Sequence, residues 1–160
     1  MKRITVDDVE HPPTISPASV VRPLGPALGT TDVAVNLFEL APGETFGFDY
    51  HRHRDQEELF YVLEGTVTFR TEDGDVAVAA GEVVRFAPGE FQLGRNAGDG
   101  PVRALAIGAP RDSTEIEYRR PCPDCGEETV QPLDVDREAA AIEITCSRCG
   151  SVVESLEFES

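Results

Sequence analysis

The block HRHRDQEELFYVLEG, residues 51–65, constrains the fold more than any other part of the sequence. His51 and His53 alternate, so on a β-strand both side chains point to the same face. A short bend after them lets a second strand begin near Glu58, whose carboxylate can then meet both imidazoles. Two histidines and one carboxylate on one side of a metal, with other positions open, form the arrangement expected of a non-haem iron(II) site. The block therefore predicts two neighbouring strands that share a metal site.

The same block resembles the first motif of the cupin family, in which H-x-H is followed by three or four residues, Glu, six residues and Gly. Here four residues separate His53 from Glu58, and six separate Glu58 from Gly65. The resemblance implies an all-β fold, the double-stranded β-helix or jelly-roll barrel of cupins, and a homodimer formed through that barrel. It also implies that His51, His53 and Glu58 bind a divalent transition metal (iron, manganese, nickel or zinc). Glu57 is the competing carboxylate, but on a strand it would face away from the pocket.

A second block matches the second cupin motif in part. The family pattern is Gly, five residues, Pro-x-Gly, two residues, His, three residues and Asn. The chain offers Gly81, Pro88-Gly89-Glu90, Gln92 and Asn96, so Gln92 stands where the family has its third metal-binding histidine. A glutamine amide offers a neutral oxygen donor, which can coordinate a metal weakly or hydrogen-bond to a metal-bound water. The alternative is a barrel without metal, in which Gln92 helps to bind an organic ligand by hydrogen bonds.

All four cysteines lie near the C-terminus in two Cys-x-x-Cys-Gly sequences. Cys122 and Cys125 form the first pair and Cys146 and Cys149 the second, with twenty residues between the pairs. This spacing is typical of zinc sites, because four thiolates complete a tetrahedral shell around the ion. A closed shell leaves no position for substrate, so the zinc would be structural and would stabilise a segment too small for its own core. The segment resembles a zinc ribbon, and two disulfides or a redox-active Cys-x-x-Cys are the alternatives.

Short strand-like segments separated by Gly and Pro turns fill the first two thirds of the chain, which predicts a sandwich or barrel. Asp73-Gly74 is a hairpin signal between two of these segments. The predicted organisation is a cupin barrel with an N-terminal arm over residues 1–112, a charged linker over 113–120 and the zinc ribbon over 121–160. Strands are predicted in the ribbon over residues 127–134, 141–145 and 152–158.

Acidic residues outnumber basic ones by 30 to 14, giving a formal net charge of −16, and Lys2 is the single lysine. Such an acidic, lysine-poor surface is typical of proteins from salt-loving archaea, in which high salt screens the repulsion between carboxylates. An ordinary acidic protein is the alternative. Residues 122–160 carry ten acidic and two basic side chains. Because nucleic-acid phosphates are bound by Lys and Arg, this segment is predicted not to bind nucleic acid.

No apolar run approaches the roughly 20 residues that cross a bilayer, and the N-terminal segment lacks the apolar stretch of a signal peptide. We therefore expect no membrane partner and a cytoplasmic location. The predicted function is a metal-binding cupin that acts on or binds a small oxygen-bearing metabolite, and the resemblance implies dioxygenase, isomerase or decarboxylase activity. The alternative is a non-catalytic metabolite sensor whose ribbon contacts a protein partner. The fold alone does not choose between these functions.

Overall fold

The computed structural model describes residues 1–12, 16–136 and 141–157. These residues form thirteen strands, a 3₁₀ turn at Val6–Asp8 and a five-residue helix, α1, at Leu24–Leu28 that the sequence does not predict. The strands are β1 (Val20–Pro23), β2 (Ala34–Leu40), β3 (His51–His53), β4 (Glu57–Glu64), β5 (Thr66–Thr71), β6 (Gly74–Ala79), β7 (Val83–Phe86), β8 (Gln92–Arg95), β9 (Val102–Ala109), β10 (Ile116–Pro121), β11 (Glu128–Asp136), β12 (Ala141–Thr145) and β13 (Val152–Glu157).

The strands form two sheets. The smaller sheet has five strands in the order β1-β2-β9-β4-β7, and the larger has eight in the order β13-β12-β11-β10-β3-β8-β5-β6. The pairings between these strands are antiparallel, as expected for a fold built from hairpins and longer crossings. The predicted all-β jelly-roll barrel is therefore confirmed. Among the described residues, no helix is long and apolar enough to cross a bilayer.

Alternating side chains explain why these segments are strands with one buried face. On β5, Val67 and Phe69 are fully buried, whereas the residues between them are more exposed. On β4, Phe60 and Val62 are buried in the same way. The hairpin predicted from Asp73-Gly74 joins β5 to β6, with Thr71 paired to Gly74.

Aromatic rings from both sheets fill the core. Phe46, Phe60 and Phe69 pack together with ring centroids 4.9–6.0 Å apart, and Phe86 lies 5.2 Å from Phe69. Burying a phenylalanine side chain contributes roughly 1.5–3 kcal/mol. The site strands β3 and β4 therefore lie on a rigid, well-packed scaffold.

The segment 113–120, predicted to be a charged linker, contains most of the strand β10. This strand pairs with β3 on one side and with β11 on the other, so that Tyr118 lies opposite both His51 and Gln131. The C-terminal strands thus continue the barrel sheet without a break. We call residues 122–136 and 141–157, which contain both cysteine pairs, the cysteine module.

Charge pairing explains why such a polar segment is a strand. Alternate residues of β10 point outwards, where Glu117 accepts a 2.6 Å hydrogen bond from Arg52 and Arg119 lies 2.9 Å from Glu72. The strands predicted in the module over 127–134 and 141–145 correspond to β11 and β12. The strand predicted over 152–158 corresponds to β13, and its predicted last residue lies outside the described residues.

Candidate metal centres

β3 and β4 bring the predicted histidines and glutamate together in the barrel. One ring nitrogen of His51, one of His53 and one carboxylate oxygen of Glu58 all lie within 4.8 Å of one another. The Nε2 atom of His53 is 3.5 Å from Oε2 of Glu58. Glu57 is directed elsewhere, because its carboxylate forms a 2.6 Å ion pair with Arg85. The structure therefore places Glu58, and not Glu57, beside the histidines.

Hydrogen bonds at Nδ1 fix the orientation of both imidazoles. The Nδ1 atom of His51 lies 2.8 Å from the backbone carbonyl of Asp49, which can only accept, so this nitrogen carries the proton. The Nδ1 atom of His53 donates to the hydroxyl of Ser113 at 2.9 Å, because that hydroxyl gives its own proton to Asp55 at 2.6 Å. Both Nε2 atoms are left as acceptors beside Glu58. Metal-binding histidines are oriented in this way in known sites.

The Ser113–Asp55 pair is a part of the site that sequence reasoning did not identify. The pKa of Asp55 falls to about 2, since hydrogen bonds from Ser113 and Thr114 outweigh the opposing effect of burial. An ionised Asp55 keeps the Ser113 hydroxyl directed away from His53. Ser113 follows the barrel by several residues, so no local spacing links it to the histidines. Only the pairing of β10 with β3 brings it there.

Gln92 completes the cluster from β8, where it lies opposite His51 in the strand register. Its Nε2 atom is 3.0 Å from Oε2 of Glu58 and 3.3 Å from Nε2 of His51, and the side chain is only 2% exposed. Its Oε1 atom is buried and finds no hydrogen-bond partner among the described residues. A half-turn of the amide would exchange the two atoms and direct the oxygen towards the other donors. This donor set fits a divalent transition metal, because it combines two neutral imidazoles, a carboxylate and an amide oxygen.

Burial shifts the pKa values of the cluster towards neutral side chains. It lowers the pKa of His51, lowers that of His53 to about 4, and raises that of Glu58 to about 7. Near neutral pH both imidazoles are therefore uncharged, and the His53–Glu58 contact is not an ion pair. Neutral imidazole is the form that binds metals, and metal binding would displace the proton of Glu58.

A cavity of about 250 Å³ adjoins the cluster. Gly47 is part of its wall and packs against His51, where a Cβ atom would come within 2.8 Å of the imidazole. A side chain at this position would displace the ring, so Gly47 belongs to the site although its place in the sequence did not indicate it. The lining combines aromatic and polar side chains, including Phe38, Phe46, Phe60, Asn36, Gln56 and Arg111.

The four predicted cysteines also come together, at the end of the larger sheet. Their sulfur atoms lie within 4.8 Å of one another. Both pairs use the same turn: the N–H of Gly126 donates to the carbonyl of Cys122 at 2.8 Å, and that of Gly150 to Cys146 at 2.9 Å. Both glycines have positive φ angles, 71° and 75°. Residues with a side chain rarely adopt this conformation. Two equivalent turns thus present two sulfur atoms each to one centre.

The sulfur atoms of the cluster are not cross-linked. All four cysteines are free, and the Sγ atoms of Cys122 and Cys149 are 3.8 Å apart. This separation is well beyond the length of a disulfide bond. A hydrogen bond from Thr129, followed by backbone N–H groups of the second turn, lowers the pKa of Cys146. Lowering the pKa favours the thiolate, which is the form that binds metal ions.

The fold is a jelly-roll barrel. Two histidines and a glutamate lie beside a cavity in this barrel. Residues 36–108 match the family model described as "Cupin domain". The match spans the barrel from within β2 to within β9, so this part of the chain is similar to a cupin domain. No curated protein matches the sequence.

Solved structures with the same fold come from several bacteria. A sugar phosphate isomerase of the cupin superfamily from Silicibacter pomeroyi is 21% identical, with a TM-score of 0.71 over 93% of this chain and 95% of that chain. The polyketide cyclase RemF from Streptomyces resistomycificus is 25% identical, with a TM-score of 0.59 over 72% of this chain and 83% of that one. A predicted oxalate decarboxylase from Thermotoga maritima is 23% identical, with a TM-score of 0.57 over 68% and 99%. The match with the isomerase extends into the cysteine module.

Proposed function

We propose that the barrel holds one divalent transition metal and binds a small oxygen-bearing molecule in the adjoining cavity. The metal ligands are the Nε2 atoms of His51 and His53, a carboxylate oxygen of Glu58 and the amide oxygen of Gln92. The observation that carries this proposal is the convergence of donor atoms from His51, His53 and Glu58, with the buried Gln92 beside two of them. The Oε1 atom of Gln92 has no partner among the described residues, and an amide turned by half a turn would direct it to the cluster as a further ligand.

A metal bound there acts as a Lewis acid on a substrate oxygen. The chain itself orients the imidazoles through Asp49 and Ser113 and supplies the shape of the cavity. The cavity volume is about 250 Å³. Pockets for drug-sized ligands are larger, so the ligand proposed here is small. Aromatic side chains exclude water from one part of the lining, and Asn36 and Arg111 offer hydrogen bonds to a polar substrate.

In the same proposal, the four cysteines bind a structural zinc ion. Their sulfur atoms come from two equivalent turns and leave no side for a substrate to approach as a fifth ligand. The role of this zinc is to hold β11, β12 and β13 together, because few side chains of the module are fully buried.

The alternative function, a non-catalytic metabolite-binding cupin whose cysteine module contacts a protein partner, is favoured by one contact. The amide of Gln92 donates to Glu58 at 3.0 Å, so the cluster satisfies most of its hydrogen bonds without a metal. In that case the cavity would bind its ligand through hydrogen bonds alone. The three structural relatives are named for three different reactions, so the shared fold does not select an activity.

Metal analysis of the purified protein tests the proposal. We expect two metals per chain in the unmodified protein and one, zinc, in the double variant His51→Ala/His53→Ala. The matched control is His11→Ala, because His11 is the third histidine and hydrogen-bonds to the backbone of Val21 on β1 instead of joining either cluster. This control should keep two metals. A single metal in the unmodified protein would favour the metal-free binding function, and loss of both metals from the double variant would contradict independent sites.

A further inference from the structure

We propose that Arg120 is a positioning residue that couples the cysteine cluster to His51, so that zinc in the cluster strengthens metal binding in the barrel. The proposal rests on the proposed function, since it requires a barrel metal bound by His51. It assigns the cysteine module a role in the barrel site, in addition to its own stability.

The first observation is a row of side chains that crosses four strands of the larger sheet. Gln92 on β8 lies opposite His51 on β3, His51 lies opposite Tyr118 on β10, and Tyr118 lies opposite Gln131 on β11. Residues directly opposite one another in antiparallel strands share a face. The face that carries the barrel histidines therefore continues into the cysteine module.

The second observation is a chain of contacts from a cysteine sulfur to Arg120. The hydroxyl of Thr129 lies 3.4 Å from Sγ of Cys146, and it accepts a 3.2 Å hydrogen bond from Nε2 of Gln131. The Oε1 atom of Gln131 accepts a 2.9 Å hydrogen bond from Nε of Arg120, and its Nε2 atom also donates to the Arg120 carbonyl at 3.1 Å. Gln131 is fully buried, so these bonds do not compete with water.

The third observation is that Arg120 reaches the wall of the barrel site. Its Nη1 atom lies 3.7 Å from the carboxylate of Asp49, and its guanidinium lies over the ring of Tyr118 at 5.6 Å. The carbonyl of Asp49 accepts the Nδ1–H of His51 at 2.8 Å, and the Tyr118 ring lies 6.1 Å from the His51 ring. Arg120 therefore contacts the side chains of Asp49 and Tyr118, two residues that neighbour His51.

A metal in the cysteine cluster fixes Cys146, and with it the hydroxyl of Thr129. The buried amide of Gln131, together with the carboxylate of Glu154, then holds Arg120 in the position in which it contacts Asp49 and Tyr118. Without the metal, the turn that carries Cys146 loses its cross-link, and the contacts that orient Arg120 weaken. Contiguous packed and hydrogen-bonded groups of this kind can carry coupling between sites, typically by factors of about 5 to 150.

A thermodynamic cycle on the full-length chain tests the coupling. The four proteins are the unmodified chain, Arg120→Ala, Cys125→Ser and the double variant. Cys125→Ser weakens zinc binding, yet Cys125 takes no part in the contact chain. Each protein is first given one equivalent of zinc for the cysteine cluster, and Co²⁺ is then titrated into the barrel and followed by its visible absorption. We expect each single variant to weaken Co²⁺ binding about tenfold. The double variant should be no weaker than the single ones, because both changes break one chain.

The control is Arg119→Ala, which removes an arginine from the opposite face of the same strand, where it pairs with Glu72 and packs on Phe91. It should leave the Co²⁺ affinity unchanged. The NMR resonance of the His51 Nδ1–H proton is a second measurement, because general destabilisation would not change its chemical shift. The resonance should shift in Arg120→Ala and Cys125→Ser but not in Arg119→Ala. Should Arg120→Ala not fold, Arg120→Lys replaces it, because lysine keeps the charge near Asp49 but lacks the Nε donor.

The outcomes separate the two proposals. Unmodified protein that takes up zinc but no Co²⁺ in the barrel overturns both. Normal Co²⁺ binding in the unmodified protein, with unchanged affinity in Arg120→Ala or with additive effects in the double variant, overturns the coupling and leaves the barrel site standing.

Discussion

The four cysteines form one cluster of donor atoms, and His51, His53 and Glu58 form another in the barrel. Different parts of the structure hold the two sets of atoms in place. The four sulfur atoms lie on two turns, in which Cys122 and Cys146 are buried and Cys149 is exposed. The imidazoles and the carboxylate lie on two strands packed around an aromatic core, beside a cavity. The barrel keeps its donors in place by packing and hydrogen bonds, whereas the turns depend on whatever joins their sulfur atoms. A metal in the barrel would therefore contribute chemistry, whereas a metal in the cysteine cluster would contribute folding free energy.

The largest effect should follow from breaking the cysteine cluster with Cys146→Ser. Structural zinc sites bind with apparent free energies of about 10–16 kcal/mol, so losing one thiolate should lower the zinc affinity sharply and reduce the stability of the module. Zinc content and the melting curve measure this. Ser151→Ala is the control, because its hydroxyl contacts the sulfur of Cys149 at 2.7 Å without being a ligand. Full zinc content and an unchanged melting curve in Cys146→Ser would contradict a structural zinc.

The second prediction concerns Glu58→Gln, which should abolish barrel metal binding yet stabilise the metal-free fold at pH 8. Burial raises the pKa of Glu58 from 4.5 to about 7, so the folded state holds this proton more tightly than the unfolded state. Stability of the unmodified protein therefore falls as pH rises from about 4.5 to 7. At about 1.4 kcal/mol per pKa unit, glutamine should gain at most about 3 kcal/mol at pH 8 and nothing below pH 4.

Denaturant unfolding of both proteins across this pH range measures the difference. Glu57→Gln is the matched control, since Glu57 is its neighbour on the strand but forms a surface ion pair with Arg85. Such an exposed pair contributes at most about 1 kcal/mol. The control should show no gain at high pH. A Glu58→Gln variant that is destabilised at pH 8 would mean that the carboxylate is stabilised by its surroundings.

A smaller effect is expected from Gln92→His. Imidazole is a stronger ligand than an amide for most transition metals, so barrel affinity should rise about tenfold, or about 1.4 kcal/mol. Calorimetric titration measures the affinity, and Gln92→Leu serves as the comparison because it removes the amide with little change in volume. Equal affinity in all three proteins would show that residue 92 does not touch the metal.

The smallest expected effect is that of salt concentration on stability. Lower salt should destabilise the cysteine module more than the barrel. Residues 122–160 carry ten acidic and two basic side chains, whereas the other 121 residues carry 20 and 12, so the same excess of eight charges sits on a much shorter segment. Lowering salt from about 1 M to about 0.1 M extends the Debye length from about 3 Å to about 10 Å and strengthens this repulsion. A loss of about 1 kcal/mol would lower the melting temperature by about 2–4 °C.

Hydrogen exchange at both salt concentrations shows where the loss occurs. We expect amides of the cysteine module to lose protection before those of the barrel. A melting temperature that does not change between low and molar salt would contradict the prediction of a salt-adapted protein.

The sequence predicted the donors at both clusters because each set follows a local spacing. Alternation places His51 and His53 on one face, and two residues between paired cysteines allow a tight turn. Whether these residues bind metal stays a prediction. The sequence did not predict what supports the donors. Ser113, Asp55 and Arg120 act through strand pairing across long stretches of chain, and no short-range pattern marks such contacts.

The charged segment 113–120 also forms its structure through contacts with residues that are far away in sequence. Its residues Ile116 and Tyr118 alternate with Glu117 and Arg119, which is a strand pattern with one polar face. Charge density alone suggested a linker, because the partners that neutralise these charges, Arg52 and Glu72, lie far away in sequence. The polar alternation was the signal that could have revealed the strand.

The three-residue strand that carries both histidines lies between β8 and β10 in the larger sheet. If the chain were cut after residue 112 to isolate the barrel, this short strand would become an exposed edge strand. Its backbone N–H and C=O groups on that side would be unpaired. Exposed edge strands can pair with strands of other chains. His53 would also lose the hydrogen bond to Ser113 that orients its ring. Residues 113–160 supply β10, which pairs with this strand, so a barrel without them would require a new covering for that edge.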